Sequence, residues 1–327
     1  MARKELISES LMRNIETYLR ETLIPAMGYP GRDFECRIPD TGTRTRVVHV
    51  IVHDGPDCYL KLFDNFEKFV RAKYVLQFFS RRGLPAPELM THSYLGRLRP
   101  GMRSYYFVER AVPGHLFGDM DDKESGIRKI ARTLAQVHDV TRSRWGYLIA
   151  PRRGDYFNYY FKRARRRISE LKKYTPAFGD NAARKLETYL LGWRECIGSR
   201  EVFELIHGRV NRDNFVINDR AVIIDLGTAS FGHFAYDLIR AVHRFCEGDD
   251  RLEQLFLESY FAASVHVTPA DYESVYSFYH VDYHLAQSNS IVRHMKKETH
   301  GDSSVDPRLA GFERHFNEML QLLETDA

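Results

Sequence analysis

Asn214 and Asp225 are the residues of this 327-residue chain whose types and spacing most directly promise chemistry. They stand at the edges of two short apolar runs, and a hairpin joining those runs would bring an amide oxygen and a carboxylate oxygen to one point. Mg²⁺ is a hard cation that takes a few such protein oxygens together with phosphate oxygens and water. The plainer readings are a turn-capping amide for Asn214 and a strand-end acid for Asp225. Lys61 is the third residue of interest. It sits in the apolar run Cys58-Tyr-Leu-Lys-Leu-Phe63, where a lysine needs a partner.

Two other groupings invite a reading. His280 and His284 have the i, i+4 spacing that places two metal ligands on one helix face. No third ligand is evident in the sequence, and Asp282 falls off their face. The basic run Lys162-Arg-Ala-Arg-Arg-Arg167 follows the aromatic run Tyr156–Phe161, a mixture that suits single-stranded nucleic acid or an acidic surface. One helix with an apolar stripe and a solvated basic face is the simpler account.

The elements that must position these groups follow from periodicity. A helix is predicted over Lys4–Thr22, with Leu11, Ile15, Tyr18 and Leu19 at helical spacing and Pro25 just beyond its end. Two strands, Arg46–His53 and Cys58–Phe63, flank the turn His53-Asp-Gly-Pro-Asp57. Asn65–Arg82 reads as a helix stopped at Gly83, and Ser104–Glu109 as a further strand. Helical segments dominate afterwards, broken by strand-like runs at Phe203–His207 and Ala221–Asp225. Thr268 with Pro269 makes a helix start in the C-terminal third. The expected fold class is α+β, with a small N-terminal part (1–109) carrying an antiparallel sheet and a larger, mainly helical part (110–327).

Composition sets the bounds. Lys and Arg number 48 against 44 Asp and Glu, so the formal charge of +4 gives no reason to expect a nucleic-acid partner. No apolar run approaches the roughly 20 residues of a membrane span. The four cysteines are scattered without a CxxC pair, which favours reduced thiols over a disulfide or zinc scaffold. A cytoplasmic protein is expected.

The stretch Leu205-Ile-His-Gly-Arg-Val-Asn-Arg-Asp-Asn-Phe-Val216, followed by Val222-Ile-Ile-Asp-Leu-Gly227 and Asp237-Leu238, closely resembles the aminoglycoside phosphotransferase and choline-kinase-like group. That group's catalytic loop reads His-Gly-Asp, four residues and Asn, and its metal motif reads Ile-Asp, a Gly, then Asp-Leu. Leu134-Ala-Gln-Val-His138 resembles the group's Leu-Ala-x-Leu-His helix. The resemblance covers roughly residues 40–240 and implies a two-lobed, protein-kinase-like fold that binds ATP and Mg²⁺. Asn214 and Asp225 would hold the metal, and Lys61 the α- and β-phosphates. Thr43 lies in the stretch Thr41-Gly-Thr-Arg-Thr45 that would form the phosphate loop, and the backbone of Val108, Glu109 and Arg110 would meet adenine. Asp237 would brace the loop around His207, and C-terminal residues including His280, Asp282, Tyr283 and His284 would line the acceptor pocket.

Three positions depart from the group's pattern. Arg209 replaces the catalytic-loop aspartate, and a guanidinium accepts no proton at neutral pH. Asp213 is the nearest substitute. Tyr74 stands where the group places the glutamate partner of the strand lysine, leaving Glu67 at an altered register or no pair at all. The phosphate loop has a single glycine. The resemblance implies an ATP- and Mg²⁺-dependent phosphotransferase acting on a hydroxyl of a small molecule or glycan, with an anionic acceptor suiting Arg209. The alternatives are a pseudokinase whose Mg·ATP-bound shape a protein partner reads, and AMP transfer on the same fold.

Overall fold

The structure is a computed structural model that describes residues 7–39, 46–99, 102–174, 178–298 and 308–325. Thr43, with the rest of the expected phosphate loop at 41–45, lies outside the described residues, as does the predicted helix start at Lys4.

The Ser8 hydroxyl accepts from the Leu11 N–H (3.2 Å) and caps α1 (Glu9–Tyr18). The chain stays helical past the predicted end at Thr22. It passes through one π turn over Leu19–Leu23 into α2 (Ile24–Ala26), which holds Pro25 and ends the helical stretch. Next come β1 (Phe34–Arg37), β2 (Arg46–Val52), β3 (Asp57–Phe63), α3 (Phe66–Arg81), β4 (Leu89–Arg99) and β5 (Met102–Arg110). The strands form an antiparallel sheet in the order β1-β2-β3-β5-β4. Alternation along β3 turns Cys58, Leu60 and Leu62 into the core with Val48, Val50, Val52 and Val108, against Leu11, Ile15 and Leu19. Tyr59, Lys61 and Phe63 therefore face the other side. Asn65 caps α3 by accepting from the Lys68 N–H (3.0 Å), and Phe69, Val75, Leu76 and Phe79 of that helix are buried.

The remaining elements are β6 (His115–Leu116), α4 (Lys123–His138), β7 (Thr141–Arg142), β8 (Trp145–Tyr147), β9 (Ala150–Arg152), α5 (Tyr156–Tyr174), α6 (Asp180–Gly192), α7 (Arg194–Gly198), β10 (Phe203–Ile206), β11 (Phe215–Ile217), β12 (Ala221–Ile223), β13 (Ser230–Gly232), α8 (Ala235–Phe245), α9 (Asp250–Phe261), α10 (Pro269–Glu273), α11 (Tyr276–Glu298) and α12 (Arg308–Thr325). Thr268 caps α10 with Pro269 in its first turn, as the sequence predicts, and Asp271 returns the bond to complete a capping box.

The chain divides into two units, and the division does not fall at residue 110. The first unit takes Met1–Thr133, Tyr147–Ile149 and Asn211–Ala229; the second takes the rest. Hydrogen bonding explains the reassignment of 211–229. The β11–β12 hairpin pairs with β6 (Val216↔Leu116, Ile217↔His115), and the Thr133 hydroxyl donates to the Ala221 carbonyl (2.9 Å).

The second unit is mainly helical. The apolar stripe of α5 (Phe157, Tyr160, Ala164, Ile168, Leu171) is buried, while Lys162, Arg165 and Arg166 are exposed. The basic run is thus the solvated face of an amphipathic helix. Arg167 turns inward to the buried Asp282 (2.5 Å), which Arg240 also reaches (2.8 Å). Those guanidiniums offset the burial of Asp282 and hold its carboxyl at about 2. Asp282 is therefore a brace between α5, α8 and α11, which corrects the expectation that it contacts substrate. No helix among the described residues is long and apolar enough to cross a membrane, and all four cysteines are free thiols.

Burial has a measurable consequence in this unit. It pushes His243, His280, His284 and His315 down to about 3, 4, 2 and 4, and His233 well below its usual value. A histidine with a lowered folded-state pKa binds its proton in the unfolded chain first. Stability is full above the unfolded value near 6.5 and is lost as pH falls below it, by at most about 1.4 kcal/mol per pH unit per histidine. Tm measured without added metal is expected to fall between pH 6.5 and 5, above the range where most carboxylates titrate. A flat Tm over that interval would show that these imidazoles are not held neutral by the fold.

Candidate active site

The hairpin that the sequence calls for is β11–β12, with register Phe215↔Ile223, Val216↔Val222 and Ile217↔Ala221. At its open end the Ile224 N–H donates to the Asn214 carbonyl (2.9 Å), so the backbones of Asn214 and Asp225 run side by side. Asn214 ends a 3₁₀ turn, Arg212–Asn214, whose Asn214 N–H donates to the Asn211 carbonyl (3.2 Å). Its side chain is buried, while Asp225 is half-buried. Asp225 takes the left-handed conformation (φ 58°, ψ 50°), a geometry that asparagine and aspartate tolerate better than other non-glycine residues. The conformation turns the chain out of β12 and into a 3₁₀ turn, Leu226–Thr228, that packs on α3. The Ile223 N–H also donates to the Pro85 carbonyl (3.1 Å), tying β12 to the segment after α3. An amide and a carboxylate on adjacent backbones, one of them buried, make a hard-oxygen pair suited to Mg²⁺.

Lys61 has its partner on the same sheet. Lys61 of β3 lies opposite Phe107 of β5, and Tyr59 opposite Glu109, so Lys61 and Glu109 are diagonal neighbours on one face. The Lys61 Nζ reaches the Glu109 Oε1 at 2.5 Å, with side chains 15% and 6% exposed. The strand lysine is thus paired, and the acid is Glu109. Neither Glu67 nor an unpaired lysine describes the site, and Tyr74 on α3 is exposed. Spacing along α3 could not reveal this acid, because it comes from strand β5, 48 residues after Lys61 in the chain.

The same register revises the adenine contact. Val108 pairs with Leu60 on one side and Thr91 on the other, and Glu109 pairs with Tyr59 and Leu89. The Arg110 N–H donates to the Glu88 carbonyl (2.9 Å), and the Ala111 N–H to the Asp57 carbonyl (2.8 Å). The backbone of Val108, Glu109 and Arg110 is occupied by the sheet, since a central strand spends its groups on both neighbours. Irregular chain begins at Ala111 and runs through Pro113.

That irregular stretch is clamped to the β11–β12 hairpin, a feature not legible in the sequence. The Asn218 Nδ2 at the hairpin tip donates to the Pro113 carbonyl (2.9 Å), and the Lys129 Nζ donates to the Asn218 carbonyl (2.6 Å). Gly114 follows with φ 138°, and a Cβ there would sit 2.5 Å from the Ile217 carbonyl oxygen. Only glycine fits. The Val112-Pro-Gly114 signal was visible in the sequence, but not what it packs against.

The rest of the His-Gly motif belongs to the second unit. The Asp237 carboxylate, fully buried, accepts from the His207 N–H (2.6 Å) and the Gly208 N–H (3.0 Å). His138, also fully buried, lies 3.7 Å from Asp237 and hydrogen-bonds the Tyr260 hydroxyl through Nδ1 (2.7 Å). Asp237 thus fixes the turn at Gly208, where φ is 76°, and the Leu-Ala-Gln-Val-His helix supplies a second brace. Arg209, the next residue, is exposed, and so is Asp213 in its 3₁₀ turn.

These features define a class of protein. The family model described as "Phosphotransferase enzyme family" matches residues 35–278, and the chain belongs to that family. It is a phosphotransferase on a protein-kinase-like α+β fold. Among solved structures it is similar to aminoglycoside phosphotransferase APH(4)-Ia, with a TM-score of 0.63 at 16% identity, covering 97% of this chain and 99% of that one. A choline/ethanolamine kinase family protein from Mesorhizobium loti gives 0.64 at 13% identity, covering 96% and 95%. Spectinomycin phosphotransferase APH(9)-Ia, in complex with ADP and spectinomycin, gives 0.57 at 12%, covering 94% and 96%. At these identities the likeness is one of fold. No curated protein sequence matches the chain.

Proposed function

We propose that this chain transfers a phosphoryl group from Mg·ATP to a hydroxyl of a small molecule or glycan, and does so slowly. The observation that carries the reading is the β11–β12 hairpin, which sets Asn214 and Asp225 side by side on backbone that is itself hydrogen-bonded. The solved spectinomycin phosphotransferase with ADP supports a nucleotide on this fold. Asn214 and Asp225 would hold Mg²⁺, which when bound neutralises charge on the phosphates. Lys61, oriented by Glu109, would meet the α- and β-phosphates. The adenine edge would be met from Ala111 onward, where the backbone leaves the sheet. Phosphoryl transfer depends mainly on positioning and electrostatic stabilisation, so these parts retain most of the machinery.

What the chain lacks at position 209 is a proton acceptor. Arg209 is an exposed cation suited to a phosphate or to an anionic acceptor, and Asp213 is an exposed carboxylate one residue before Asn214. A general base contributes ~10²–10⁴-fold. Arg209→Asp is therefore expected to raise ATP consumption by about 10²-fold, measured as ADP released in the presence of Mg²⁺ and a panel of hydroxyl acceptors. The arginine also favours a second reading, in which the chain binds Mg·ATP as a regulatory or scaffold module for a protein partner. Unchanged turnover in Arg209→Asp, with nucleotide binding intact, would select that reading. Pyrophosphate release with AMP left on a target would overturn both in favour of AMP transfer.

A further inference from the structure

The pair His280 and His284 acquires in the fold the third ligand that its sequence neighbourhood lacks. His243 comes from α8, and His280 and His284 come from successive turns of α11. One ligand atom from each of the three lies within 4.8 Å of the others. The His243 and His280 Nε2 atoms are 2.6 Å apart. His284 is 1% exposed, and its Nε2 is buried with no hydrogen-bond partner; so is the Nδ1 of His280. On the outer side of His284, the Nδ1 lies 3.0 Å from the Glu318 Oε2 and 3.0 Å from the His315 Nδ1, both on α12.

We propose that His243, His280 and His284 form a transition-metal site, with Zn²⁺ its natural occupant, that joins α8 to α11 and is oriented from α12 by Glu318.

Three imidazoles are the donor set of an open zinc site, in which a water or a ligand atom takes the fourth position. Zn–N bonds of about 2.0–2.1 Å in a tetrahedron put the ligand nitrogens roughly 3.3 Å apart. The 2.6 Å pair of His243 and His280 must therefore open by a side-chain movement of less than about an ångström. The Glu318 carboxylate on the far nitrogen of His284 is the outer partner that fixes a ligating histidine's tautomer and ring orientation. Packing alone accounts for part of the cluster, since the His243 ring stacks on Tyr283 with centroids 4.1 Å apart. It does not account for the orphaned Nε2 of His284, because a buried polar atom left unpaired is destabilising. The site lies wholly within the second unit and does not depend on the nucleotide reading.

The test uses the full chain, stripped by a chelator and titrated with CoCl₂ and then ZnCl₂. One equivalent of Co²⁺ is expected, with visible d–d absorption that Zn²⁺ displaces. His243→Gln and His280→Asn are each expected to weaken binding at least 100-fold, and Glu318→Gln by 10–100-fold. His294→Ala, on the exposed side of α11, should leave it unchanged. Circular dichroism of the metal-free variants checks that they fold. Should one fail, X-ray absorption of the zinc-loaded wild type must still report three nitrogen ligands. No stoichiometric Co²⁺ or Zn²⁺ on the folded wild type would overturn the proposal. So would binding retained in both His variants, or binding that depends on His315 and Glu318 but not on His243.

Discussion

Asp237→Ala is expected to lower the unfolding free energy by about 3–5 kcal/mol, the cost of removing one member of a buried charged network. Its carboxylate is fully buried and accepts from the His207 and Gly208 amides, with His138 3.7 Å away. Each buried donor left without an acceptor costs about 1–3 kcal/mol, and the vacated volume adds to that. Thermal denaturation should show a drop in Tm of roughly 10 °C. Asp237→Asn keeps one acceptor oxygen and should lose less. A drop of only a degree or two in the alanine variant would mean that the carboxylate does not brace the loop. Its hydrogen bonds to the His207 and Gly208 amides explain why the chain needs an acid at this position.

The second large effect is expected at Lys61. Lys61→Met leaves Glu109 buried opposite a thioether, and breaking a buried pair on one side costs about 3–5 kcal/mol. Lys61→Met combined with Glu109→Leu removes both charges and should recover most of that loss. Nucleotide affinity separates the two roles of the lysine. The double variant should fold like the wild type yet bind Mg·ATP at least 10-fold more weakly, because the phosphate contact is not restored. Recovery of both stability and affinity in the double variant would reduce Lys61 to a structural residue. The comparison needs chemical denaturation and a nucleotide titration on all four members of the cycle.

How much of this was readable in the sequence depends on how local the signal is. The strand β3, the helix α3 and the helix start at Thr268 follow from periodicity and from residues within four positions of each other. The Asn214–Asp225 hairpin was readable because its two strands are only three residues long and adjacent. Strand β4 was missed. Leu89–Arg99 mixes His92, Ser93, Gly96, Arg97 and Arg99, and its pairing with β5 shifts register three times, so no clean alternation survives. Glu109 appeared as a backbone contact to adenine, whereas the sheet occupies its backbone and Lys61 takes its side chain. His243 lies 37 residues before His280, and only the packing of α8 on α11 makes them neighbours. Local pattern locates elements, while pairings between distant elements require the fold.

The proposed function stands on Asn214 and Asp225 holding a metal that carries a nucleotide. The most direct measurement is calorimetric titration of ATP into the wild-type chain, with and without Mg²⁺, and into Asp225→Asn. Binding in the micromolar range that requires Mg²⁺ and weakens at least 10-fold in Asp225→Asn is the predicted result. Absence of binding by the folded wild-type chain, or equal binding in Asp225→Asn, would contradict it.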